Sequence, residues 1–159
     1  MSGQIPTGRQ LSQTGLRYGD IERGDWFDTP SRTITAQDID RFADLTGDRF
    51  EIHMSDAAAQ EYGFSARVAH GLLVLGLIDG LKNQAQAQFR AIASLGWEWR
   101  FERPVLIGDT IRARIIVQSK RTTRHPGKGI LELDFTVLDS HDTAVQRGRN
   151  LLMVMRQPD

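Results

Sequence analysis

"GLLVLGLIDGLKNQAQAQF" stands at residues 71–89 and is the most apolar stretch of the chain. Leu72, Leu73, Val74, Leu75, Leu77, Ile78 and Leu81 leave its first half without a polar face, and a helix apolar all round is a buried one. Asp79 interrupts the run and Lys82 follows, too early for the ~20 apolar residues that a bilayer span requires. From Gln84 the pattern turns polar, so the helix is expected to emerge into solvent there.

A buried helix needs a wall, and the sequence after it supplies one. "SLGWEWRFERPVLIGD" (94–109) sets Trp97, Trp99 and Phe101 against Glu98, Arg100 and Glu102. "TIRARIIVQSKRTTR" (110–124) alternates Ile111, Ala113, Ile115 and Val117 with arginines, and "GILELDFTVLDS" (129–140) and "TAVQRGRNLLMVMR" (143–156) follow in the same style. A period of two is that of a half-buried strand. "LIGD", "HPGKG" and "DSHD" between the runs are turn material. The reading is α+β: a long antiparallel meander wrapped around a central buried helix. Such a sheet has open edges, and pairing two of them in a dimer removes one.

Ahead of the helix, residues 1–17 are polar and aperiodic and are expected to form a flexible N-terminal arm, with the domain running over 18–159. "GDWFDTPSRTIT" (24–35) reads as a strand interrupted by Pro30. "TAQDIDRFADLTGD" (35–48) reads as a helix. Thr35 caps it, Asp38 completes a capping box, and Ile39, Phe42 and Ala43 share a face. Gly47 ends it, which leaves Asp48 in the turn just beyond. A second short helix is expected over 55–63, capped by Ser55 and stopped by Gly63.

Composition narrows the function. Lys+Arg and Asp+Glu number 20 each, a balance that argues against a dedicated nucleic-acid or membrane-surface binder. There is no cysteine, hence no disulfide framework and no thiol nucleophile. The N-terminal stretch has no apolar core of the kind a secretory leader needs, and a cytoplasmic location is expected.

"GDRFEIH" (47–53) places an acid, Asp48, five residues before an imidazole, His53. Together the two could grip one water, take a proton from it and deliver a proton to carbon. Adding water across a double bond conjugated to a carbonyl needs that, and needs the carbonyl oxygen stabilised as it takes up enolate charge. The N-terminus of the apolar helix, at Gly71, offers orphan N–H groups for this purpose, and glycine lets an acyl group approach the backbone.

"FADLTGDRFEIHMSDAAAQEYGFSARVAHGLLVLGLIDGL" (42–81) resembles the signature of the MaoC-like, (R)-specific enoyl-CoA hydratases, which have the hot-dog fold. The likeness runs from about Gly24 to the last strand and includes "RPVLIGDTIRARIIV" (103–117). The resemblance implies a catalytic water held by Asp48 and His53, and a thioester carbonyl bound by the backbone N–H of Gly71. It also implies a homodimer, a thioester tunnel near the subunit interface, and neither a metal nor another cofactor. Two positions depart from the family pattern. Phe50-Glu51 replaces the usual Asn-Pro between the catalytic pair. Asp79 stands where a Ser often supports the catalytic Asp, and two carboxylates in an apolar pocket would share a proton.

Other readings share the same residues. A thioesterase on the same fold would use Glu51 or Asp79 near the thioester carbon, and a non-catalytic acyl-binding module would keep only the fold. His70 is read as orienting the loop before the helix. No HxH or HxxxH spacing is present, so no metal site is expected. Trp97 and Trp99 read as the packed face of a strand. Arg112, Arg114, Lys120, Arg121, Arg124 and Lys128 read as a solvated sheet face, with contact to coenzyme A phosphates as the functional alternative.

Overall fold

The structure, a computed structural model, describes residues 5–157. A 3-10 turn at Tyr18–Asp20 precedes two short strands, Trp26–Asp28 (β1) and Arg32–Thr33 (β2). Four helices follow: Ala36–Thr46 (α1), Glu51–Met54 (α2), Asp56–Glu61 (α3) and Gly71–Lys82 (α4). The chain then makes four long strands, Ala91–Phe101 (β3), Thr110–Thr122 (β4), Lys128–Leu138 (β5) and Ala144–Met155 (β6).

Among the described residues these form one antiparallel sheet in the order β1-β4-β5-β6-β3, with β2 also beside β4. Strands β4, β5 and β6 are the expected meander. Strand β3 is not part of that run, because it pairs with β6 at the far edge instead of with its sequence neighbour β4. The linker explains the crossover. It contains Pro104 and is tied to the segment before α4, with Val68 bridging Leu106 and the N–H of Ala69 donating to Val105 O at 2.8 Å.

Local chemistry sets the helix ends. Thr35 Oγ1 accepts from the N–H of Asp38, the Asp38 carboxylate accepts in return from the N–H of Thr35, and Gly47 closes α1 at φ 78°. Ser55 caps α3 by accepting from the N–H of Ala58, and Gly63 follows it at φ 88°.

The core lies between α4 and the concave face of the sheet. Leu73, Val74, Ile78 and Leu81 of α4 pack against Ile111, Ala113, Ile115 and Val117 of β4, Leu131, Leu133, Phe135 and Val137 of β5, and Leu152 and Val154 of β6. Each of these buried aliphatic side chains is worth roughly 1.5–3 kcal/mol of transfer free energy, which offsets the ordering of the chain. The sheet covers only one side of the helix. Leu72 is 62% exposed, and Gly76 and Gly80 on the same stripe face out. The all-round burial expected from the apolar run is therefore not met within one chain. Nor does the helix reach residue 89. It ends at Lys82, and Ala85 and Ala87 are buried in the irregular segment beyond.

The expected flexible arm is also corrected. Residues 1–4 lie outside the described part, but residues 8–16 are laid against the domain. Gly8 N–H donates to Gly24 O, Trp26 N–H to Arg9 O and Leu11 N–H to Trp26 O, at 2.8–3.0 Å. Farther on, Leu16 N–H donates to Gln88 O and Gln88 N–H to Gln13 O, each at 3.0 Å. Two leucines, Leu11 and Leu16, join the core. A polar composition concealed these two apolar anchors and the unpaired β1 backbone that receives the segment. Arg9 pairs with the buried Asp25 at 2.7 Å. Burial alone would raise the Asp25 carboxyl, but hydrogen bonds from Arg9 and the N–H of Glu22, with the charge of Arg9, hold it below the ordinary range.

Candidate active site

The turn after α1 carries the acid. Asp48 N–H donates to Thr46 Oγ1, and Asp48 Oδ1 accepts from the N–H of Phe50, each at 3.2 Å. This is an Asx turn, which orients the carboxylate from its own backbone. The base sits on α2, a single turn that lacks a side-chain cap. Tertiary contacts hold it: Arg67 Nε–H donates to His53 O at 2.6 Å, and Val68 N–H donates to Ile52 O at 3.0 Å. Arg67 is itself anchored to Asp40 at 2.5 Å.

His53 is buried, and its Nδ1 lies 2.7 Å from Val68 O. A carbonyl oxygen only accepts, so Nδ1 carries the hydrogen and the neutral ring keeps its lone pair on Nε2. Burial pushes the His53 imidazole below its ordinary range. The hydrogen bond to Val68 and the charge of Asp48 oppose that shift, while His70 and Arg67 add to it. The net result is a neutral base at neutral pH.

His70, expected to orient the loop before α4, reaches instead to the turn after α1: its Nε2 lies 2.9 Å from the backbone oxygen of Asp48. Its ring stacks on His53 with centroids 3.9 Å apart and planes inclined by 25°, and Phe42 packs against it from α1 at 4.7 Å. Nδ1 of His70 is buried without a hydrogen-bond partner.

The structure brings Asp48, His53 and His70 together, with one ligand-type atom of each within 4.8 Å of the others. Sequence spacing paired Asp48 with His53 but did not foresee the stacking of His70 on His53. The cluster does not form a convincing metal cradle. One nitrogen of each histidine is committed to a carbonyl, and the lone pairs of two nearly parallel, stacked rings run side by side instead of converging. The separation does suit one water bridging the carboxylate and the imidazole.

Gly71 opens α4 directly behind this cluster. Its N-cap, His70, gives the first turn no side-chain hydrogen bond, so the orphan N–H groups of a helix start have no side-chain partner there. A Cβ on Gly71 would fall 2.4–2.7 Å from the ring of Phe101. Only glycine fits without moving that ring.

Asp79, expected beside Asp48, has another partner. Its carboxylate accepts from the Nζ of Lys82 at 2.6 Å, one turn along the same helix, and Lys82 is buried with its ammonium near Trp97. The shared-proton pair with Asp48 is therefore replaced by an ion pair on α4. Glu51 is held as well, by the hydroxyl of Tyr62 at 2.6 Å. Both carboxylates that a thioesterase would use are engaged. Three basic residues of β4 are tied to the protein too. Arg114 makes a bidentate pair with Asp28, Arg112 bridges Asp28 and Asp142, and Lys120 donates to Ile21 O.

The fold and this site define a class, the hot-dog domains with an acid and a histidine ahead of the central helix. The chain belongs to the family of MaoC-like domains, whose pattern matches residues 21–137. It is 41% identical over 109 residues to protein MaoC of Klebsiella aerogenes, a match that takes in 68% of this chain but 32% of that protein. It is 30% identical over 118 residues to an (R)-specific enoyl-CoA hydratase of Rhodospirillum rubrum, covering 68% of this chain and 81% of the relative. Among solved structures it is similar to a double hot-dog protein of Mycobacterium tuberculosis, at TM-score 0.80 and 28% identity over 91% of this chain and 46% of the other. Among the described residues, no helix is long and apolar enough to cross a membrane.

Proposed function

We propose that the protein is a hydratase/dehydratase that adds water reversibly to the double bond of a 2-enoyl thioester carried by coenzyme A or an acyl-carrier protein. The observation that carries this reading is the unprotonated Nε2 of His53, fixed by the Val68 carbonyl in a ring that shares a 4.8 Å cluster with Asp48. In the forward direction Asp48 and His53 hold the water. Its oxygen bonds to the β-carbon as Nε2 takes its proton, and the π electrons move toward the thioester carbonyl. The N–H of Gly71 stabilises the oxygen that gains charge. The imidazolium then returns the proton to the α-carbon, so one water is added and His53 is regenerated. Asp48 favours the transient imidazolium by its charge.

The acting unit in this proposal is a cytoplasmic homodimer. Phe50, Tyr62 and Leu72, each more than half exposed, are apolar surface that a second copy would cover to form the thioester tunnel. A panel of 2-enoyl-CoA esters of varied length and branching tests the reaction. Loss of the enoyl absorbance with formation of a single 3-hydroxyacyl enantiomer supports it. Release of free thiol with no 3-hydroxyacyl thioester formed would establish a thioesterase instead.

A further inference from the structure

Behind Gly71 lies a buried relay that neither Asp48 nor His53 touches. Gln146, on β6, is 2% exposed and stands opposite Phe101 in the β3–β6 register. Its Oε1 accepts from the indole N–H of Trp99 at 2.7 Å, and its Nε2 donates to the backbone oxygen of Gly71 at 3.3 Å. Each partner is one-way, because an indole N–H only donates and a carbonyl only accepts. The Gln146 amide therefore has one orientation that satisfies both.

The relay answers a problem that glycine creates. The ring of Phe101 leaves no room for a Cβ at residue 71, yet glycine is the residue whose backbone is least restrained. A helix opening on an unrestrained residue presents its first N–H groups over a range of directions. Stabilisation of a developing oxyanion requires donors fixed before the reaction begins. We infer that Gln146, oriented by Trp99, is a positioning residue that fixes the first turn of α4 so that the N–H of Gly71 meets the thioester oxygen. This inference rests on the proposed hydratase reading. Three residues at one end of the β3–β6 ladder, Trp99, Phe101 and Gln146, thus shape the opening of α4.

The test combines kinetics with a spectroscopic readout that does not require turnover. Gln146→Met keeps the side-chain size and removes both hydrogen bonds. Gln146→Glu keeps acceptance from Trp99, but donates to Gly71 O only when its carboxyl is protonated. With a four-carbon 2-enoyl-CoA as probe, Gln146→Met is expected to lose about five- to tenfold in kcat, the worth of one buried neutral hydrogen bond, with KM little changed. Gln146→Glu is expected to recover toward wild-type kcat as pH falls, a trend that a general packing defect would not show. Separately, butyryl-CoA labelled with 13C at its carbonyl is bound to the folded protein and read by infrared difference spectroscopy. The carbonyl stretch is expected at lower frequency than in water for wild type, and nearer the free value for Gln146→Met. A folded Gln146→Met protein with wild-type kcat and the wild-type stretch overturns the inference and leaves the hydratase reading intact. A wild-type stretch that matches free butyryl-CoA overturns the Gly71 assignment, and this inference with it.

Discussion

His53 and His70 lie ring on ring, 3.9 Å between centroids, and each has one nitrogen at a backbone carbonyl, Val68 for the first and Asp48 for the second. The stack links the Asp48 turn to the His53 ring. His70 holds the main chain of Asp48, and its ring backs that of His53.

Removal of either chemical group should abolish most of the activity without unfolding the protein. Asp48→Asn and His53→Ala are each expected to lower turnover by about 10²–10⁴, the usual worth of a positioned acid or base. Near-normal rates in both purified variants, with unchanged circular dichroism, would rule out these roles.

The pH profile follows from the depressed His53. Burial is the main cause, and a neutral ring is the reactive form, so the acid limb of kcat/KM should lie below pH 6.5, the ordinary imidazole value. Replacing His70 by Gln leaves an amide donor near Asp48 O and removes the neighbouring ring that helps to lower His53, so the limb should move to higher pH. Stability shares the sign. Below the unfolded-state pKa of about 6.5 the unfolded chain binds more protons than the native one, so the stability due to His53 is lost as pH falls from there. A profile with its acid limb at or above that value in wild type would contradict the burial argument.

Asp79 is expected to matter for stability more than for chemistry. In Asp79→Ala the buried Lys82 ammonium loses its counter-charge, at a cost of about 1–2 kcal/mol, reduced because Asp79 is itself partly solvated. Thermal unfolding should register the loss, while kcat per folded molecule and the alkaline limb of the pH profile stay as in wild type. A collapse of kcat at full stability would return Asp79 to the site.

The assembly prediction concerns β3, an eleven-residue strand that forms one edge of the sheet, with Ile92 and Leu95 exposed on it. Light scattering should report a dimer at micromolar concentration, and Leu95→Lys should shift it toward monomer, since a charge on an edge strand opposes pairing. A wild-type monomer across that range would remove the proposed tunnel along with the dimer.

The parts legible in the sequence were those written in local chemistry. Thr35 with Asp38, Gly47, Ser55 and the alternation of β4 to β6 each declare an element within a few residues. The candidate pair Asp48 and His53 was suggested by its spacing together with the family signature. The helix that carries His53 was not, because α2 is one turn and its support comes from Arg67 and Val68, beyond α3. The Asp79–Lys82 pair was present in the i,i+3 spacing, but the family pattern drew attention to Asp48 instead. Trp99 and Gln146 are 47 residues apart and meet through strand register, which periodicity does not encode. The one-sided exposure of α4 depends on where the sheet ends, and no property of the apolar run reports that.

The N-terminal segment that lies along β1 has a consequence for how copies count themselves. Residues 8–11 supply partners to the backbone of Gly24 and Trp26, so the β1 margin is already occupied by its own chain. Among the described residues, the β3 margin is the one left open to another sheet. If the proposed dimer joins two copies margin to margin, neither copy keeps an open sheet margin among the described residues, and growth by sheet pairing ends at two without any further device to stop a fibre.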